Sequence, residues 1–177
     1  MQKNTKKYTI YVVKGALIAA IYAVLTLVLA PISYGNIGIE FRVAEALTIL
    51  PIFTSAAIPG LTVGCVVANL IGMSVSGLGM ADVVFGSLAT LIAAIATYLF
   101  RKVTFKGFPL LSFLPPIIAN AIVVGFELSI ILTDVFPSFL WAFFVIGVGE
   151  AVVVFVLGTP LYLLFEKDKK LNKLIRK

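Results

Sequence analysis

Three carboxylates in this chain, Glu45, Glu127 and Glu150, fall inside stretches that are otherwise apolar. An ionisable group at such a position is costly and by default marks a ligand site or an ion pathway. A buried carboxylate there can accept hydrogen bonds from ligand N–H groups, neutralise a cation, or stay protonated. Asn69 and Asn120 add amides that both donate and accept. Asn120 and Glu127 are seven residues apart, which in a helix sets them on one face about 10 Å apart along the axis. Arg42 and Glu45, three apart, share a face near the start of theirs. Glu127 and Glu150 have no basic residue in their own predicted helices. That pattern suits a cationic or donor-rich ligand. Simpler roles exist for the others. A single membrane Asn serves as glue between helices, Arg42–Glu45 reads as a local pair at a helix end, and Asp82, after Gly77–Met80, reads as an N-cap.

Other chemistries are excluded by residue type. The chain has no histidine and one cysteine, Cys65, so a Ser-His or Cys-His dyad, a His-ligated metal site and an intrachain disulfide are all impossible. The phosphate-cradling G-x-x-x-x-G-K-[ST] and the nucleophile elbow G-x-S-x-G are missing from the sequence. The acids form no close-spaced ligand set. The expectation is a protein that is not an enzyme and needs no metal or cofactor.

The elements that must position these residues are membrane helices. Of 177 residues 61% are apolar and 12% charged, about half the charged fraction of a soluble domain, and mean hydropathy is +1.13. At about 20 residues per span, the apolar segments predict helices over 10–29, 43–56, 58–74, 83–100, 110–132 and 139–165. The uncharged stretch from Ala46 to Ala81 is ambiguous, and parity resolves it. The basic clusters Lys3/Lys6/Lys7/Lys14, Arg101/Lys102/Lys106 and Lys167–Lys177 belong on the cytoplasmic side, so an even number of spans separates each pair. Pro51, Pro59 and Gly60 supply the break. The result is an all-α integral membrane protein of one domain, 1–177, with six spans and both termini cytoplasmic in the plasma membrane. Its net charge of +6 follows topology, and points to anionic lipid rather than nucleic acid. The first helix carries Ala16/Ala20 and Ala19/Ala23, small-xxx-small strips that suit either internal packing or docking of another membrane subunit.

A six-helix membrane protein of this size, basic at both ends and with an Ala-x-x-x-Ala strip in its first helix, resembles the substrate-binding S component of an energy-coupling-factor (ECF) transporter. The stretch YGNIGIEFRVAEALTILPIFTSAAIPGLTVGCVVANLIG, continued by DVVFGSLATLIAA, is similar to the QueT family, assigned to uptake of queuosine precursors. That resemblance implies an S-component bundle that takes a 7-deazaguanine base from outside. It also implies a T component and two ATPase subunits as partners, with toppling in the membrane as the transport step. Ala16 and Ala20 match the coupling strip, and Pro31–Glu40 the position of the loop that covers the pocket. A guanine-like edge presents adjacent N–H and NH₂ donors, which one carboxylate accepts in bidentate fashion. Asn69 or Asn120 would read the carbonyl side, and a second acid would neutralise an aminomethyl group. Glu45, Glu127 and Glu150 are the acids for these roles, in an order left open. Arg42 belongs to the same candidate set, and Tyr34, Phe41, Phe126 and Trp141 are candidate stacking faces. The alternatives are an S component for another small vitamin, or a small scaffold or channel-like protein whose acids line a water path.

Overall fold

The structure is a computed structural model and describes residues 2–30, 42–76 and 78–176. Among them the chain forms α1 (Gln2–Val28), α2 (Val43–Ile52, a 3-10 helix), α3 (Ala57–Ser76), α4 (Met80–Phe100), α5 (Leu114–Ile131), α6 (Phe139–Val152), α7 (Thr159–Lys167) and α8 (Lys169–Arg176). Local chemistry sets several boundaries. Ser138 caps α6 by accepting from Trp141 N. Pro115 and Pro116 occupy the first turn of α5, where N–H groups have no intrahelical acceptor. Pro160 lacks the N–H that would close an α turn. The rod from α6 to α7 passes through a π turn, Val153–Gly158, just ahead of it.

Among the described residues, five segments are long and apolar enough to cross a membrane: 5–28, 57–74, 80–100, 110–131 and 139–167. Side chains on their outer faces are apolar and exposed, among them Leu17, Val24, Ile71, Val84, Ile130 and Val156, as lipid contact requires. The structure is thus that of an all-helical, multi-pass membrane protein. The segment expected as a span over 43–56 differs from the others. Its helix, α2, has ten residues with Pro51 inside, and at about 2.0 Å per residue it covers only about 20 Å.

Helix directions follow from close contacts. A Cβ on Gly60 would lie 2.7 Å from Gly15 O, and one on Gly64 would lie 2.8 Å from Ala19 O. The constant offset makes α1 and α3 parallel and in backbone contact. Tyr22 bonds Glu45, while Tyr11 Oη donates to Ser55 O at 3.3 Å, so α2 runs antiparallel to α1. Thr97 Oγ1 donates to Ser112 O and the Phe85 and Phe126 rings lie 6.4 Å apart, so α4 and α5 are antiparallel. Gly125 against Phe143, and Gly147 against Ala121, make α5 and α6 antiparallel too. Short as it is, α2 returns the chain along the bundle. The start of α1, the end of α4 and the C-terminal α8 therefore gather at one end, which we term the basic end.

Candidate functional site

Two layers of buried polar side chains cross the bundle. The first lies toward the end opposite the basic one. Arg42 Nη2 donates to Asp82 Oδ1 at 2.8 Å with both side chains almost fully buried. Asn69 Nδ2 donates to Asp82 O at 2.7 Å and stands 3.6 Å from Cys65 Sγ. Gly86 makes room for this group: a Cβ there would meet Asn69 Nδ2 at 2.8 Å, Asp82 Oδ1 at 2.9 Å and Arg42 Nη1 at 3.2 Å. Two local expectations are corrected here. Arg42 is more than a local mate of Glu45: it bonds Asp82, forty residues away, because α2 packs beside α4, while its charge also acts on Glu45. Asp82 is accordingly no cap, and Gly79 occupies the N-cap of α4.

The second layer centres on Glu45, which is 0% exposed. The Tyr22 hydroxyl donates to its Oε1. Thr90 Oγ1 lies 3.5 Å from the same oxygen and 3.0 Å from Gly86 O. The Asn120 side chain reaches the carboxylate from α5. Among the described residues, Glu45 Oε2 and Asn120 Nδ2 have no well-formed hydrogen bond, though both are buried. An unsatisfied buried polar atom costs about 1–3 kcal/mol, and more when charged. The carboxylate and the amide thus face each other as acceptor and donor, in a geometry short of a well-formed bond. A planar ligand with complementary N–H and carbonyl groups would satisfy both.

The other acids are also buried. Glu127, next to Phe126, is level with the first layer, as the Phe85–Phe126 contact shows. The α5–α6 register puts Glu150 opposite residue 118, close to the level of Asn120. The structure thus brings Arg42, Glu45, Asn69 and Asn120 into the two layers and sets Glu127 and Glu150 at their levels. Trp141 is 51% exposed in the first turn of α6, and Phe126 is 49% exposed. Neither joins the buried layers. Tyr34, Phe41 and the Pro31–Glu40 segment lie outside the described residues. The two alanine strips separate: Ala19 and Ala23 face α3, while Ala16 and Ala20 lie on the exposed flank of α1. Sequence reasoning missed Tyr22, Thr90 and Gly86. Tyr22 carried a signal, since a tyrosine buried within a membrane helix needs a partner for its hydroxyl.

Fold and site together define a multi-pass helical membrane protein with a polar, acid-containing centre. The chain matches the QueT transporter family over residues 12–167. It belongs to that family, which is one of transporters and not of enzymes. It is similar to the queuosine precursor transporter QueT of Lactococcus lactis subsp. cremoris (strain MG1363), with 36% identity over 92 residues, covering 51% of this chain and 49% of that protein. The chain thus matches about half the length of this curated relative. No solved structure matches it.

Proposed function

We propose that this chain is the substrate-binding S component of an ECF-type importer and that it binds a queuosine precursor, a 7-deazaguanine base, from outside the cell. The observation that carries the reading is the fully buried Glu45 carboxylate at the centre of the bundle, ringed by Tyr22, Thr90 and Asn120. A guanine-like edge offers N–H donors to the carboxylate and a carbonyl to the amide. Glu127 and Glu150 supply negative charge for an aminomethyl-bearing precursor. The family to which the chain belongs and the name of its Lactococcus relative support the choice of substrate. On this reading the chain crosses the membrane six times, α2 included, with both termini cytoplasmic. The exposed Ala16 and Ala20 meet a T component that carries two ATPase subunits.

Calorimetric titration of the purified protein with deazaguanine bases tests the assignment. Glu45→Gln is expected to weaken binding by at least tenfold, the worth of a charge-assisted hydrogen bond of about 1.5–3 kcal/mol. Glu127→Ala and Glu150→Ala should weaken an aminomethyl-bearing base more than an uncharged one. Wild-type affinity in Glu45→Gln would remove Glu45 from the site.

A further inference from the structure

A polar cavity opens at the basic end, at the opposite end of the bundle from the Arg42–Asp82 pair. It has a volume of about 500 Å³ and is lined by Lys7 and Lys14 of α1, Arg101 at the end of α4 and Arg176 of α8. These four cations come from three distant parts of the sequence, and their contacts fix three of them. Lys14 Nζ donates to Ile175 O at 2.9 Å. The Arg101 guanidinium lies 3.6 Å from the centre of the Tyr98 ring. Arg176 lies 5.2 Å from the centre of Phe53 and pairs with Glu166 at 3.0 Å. Glu166 offsets one positive charge. Asp168 is engaged at the start of α8, accepting from Lys170 N and Leu171 N. The cup therefore keeps a surplus of positive charge.

Gathering like charges in a concave site is unfavourable unless an anion occupies it. The surroundings indicate which anion. Ile10, Ile52 and Phe53 share the lining with the cations, and Ile10 begins the exposed apolar flank of α1 that continues through Val13, Leu17 and Val24. A hydrated inorganic ion gains nothing from such walls. In α8, Ile175 packs on the core while Lys169, Lys170 and Lys173 face outward, so the helix is docked against the bundle and adds positive charge beside the cup. We infer that this cup binds the phosphate of an anionic phospholipid from the adjoining leaflet. The arginine forks would hold the phosphate oxygens, and an acyl chain would lie along α1. The inference does not depend on the deazaguanine assignment.

Native mass spectrometry of the full chain, released from vesicles of phosphatidylcholine mixed equally with phosphatidylglycerol, tests it. Wild type is expected to retain phosphatidylglycerol in preference to phosphatidylcholine. Lys14→Gln/Arg101→Gln should lose that preference, at about fivefold per cation removed. Lys7→Gln, an exposed change that spares the fold, should lose about fivefold alone. Lys102→Gln/Lys106→Gln removes the same charge outside the cup and should keep the preference. Equal retention of the two lipids by wild type overturns the site, as does an equal loss in the control. Displacement of phosphatidylglycerol by millimolar inorganic phosphate would make it a free-anion site and overturn the lipid.

Discussion

At the scale of single residues, the polar layers place unusual demands on the interior. Arg42 and Asp82 form a nearly dry ion pair, and removing one partner of such a pair typically costs about 3–5 kcal/mol because the other charge stays buried. Arg42→Ala is thus expected to lower the thermal unfolding midpoint in detergent sharply. Arg42→Met combined with Asp82→Leu should recover most of the loss, since packed apolar side chains replace buried pairs at little cost. If the double variant unfolds as early as the single one, the guanidinium has a role beyond balancing Asp82. The buried polar residues were legible as types in the sequence because charge inside an apolar run has few explanations. Their partners were not legible. Arg42 looked like the mate of Glu45 because spacing within a helix is visible and packing between helices is not. Tyr22 and Thr90 became part of the site only when α1 and α4 were set beside α2.

At the scale of elements, the tightest joint is α1 on α3. Gly60 and Gly64 bring the two backbones so close that a methyl group at either would meet a carbonyl oxygen of α1 under 3 Å away. Those contacts are to backbone, which cannot rotate aside. Gly64→Val is therefore expected to destabilise the protein by about 1–3 kcal/mol or more and to shift Tyr22 away from Glu45. Gly72→Ala, where the nearest atom is Leu27 Cδ2 at 3.8 Å, should be tolerated. Unfolding curves for the two variants check the contrast, and equal midpoints would mean that α1 moves freely on α3. The small-residue strip on α1 was readable in advance, yet its two halves could not be told apart. Only the direction of the α3 contact assigns Ala19 and Ala23 to the inside and leaves Ala16 and Ala20 exposed. The 3-10 geometry of α2 was equally hidden. Hydropathy marks its residues as apolar without showing that Pro51 and the Glu45 layer fit a tighter, shorter helix.

At the scale of the whole molecule, the question is whether a ten-residue helix can act as a crossing. Because α1 and α3 are parallel, the chain must travel back between them, and α2 is the described element that makes the journey. A non-α backbone at membrane depth is tolerated where protein surrounds it. Nearly every residue from Ala44 to Ile52 is buried, so α2 is enclosed by the longer helices and need not match the bilayer thickness. The antiparallel run of α2 is what the proposed six-crossing topology requires of this segment. Single cysteines introduced into a Cys65→Ala background test it, with Cys65 itself buried. In vesicles of known orientation, Lys6→Cys, Lys102→Cys and Lys170→Cys should react with an impermeant maleimide only from the cytoplasmic face. Val135→Cys, in the exposed turn between α5 and α6, should react only from the other. Were α2 merely to dip and return, Lys6→Cys and Lys102→Cys would label from opposite faces, because three long helices would then separate them instead of four traversals.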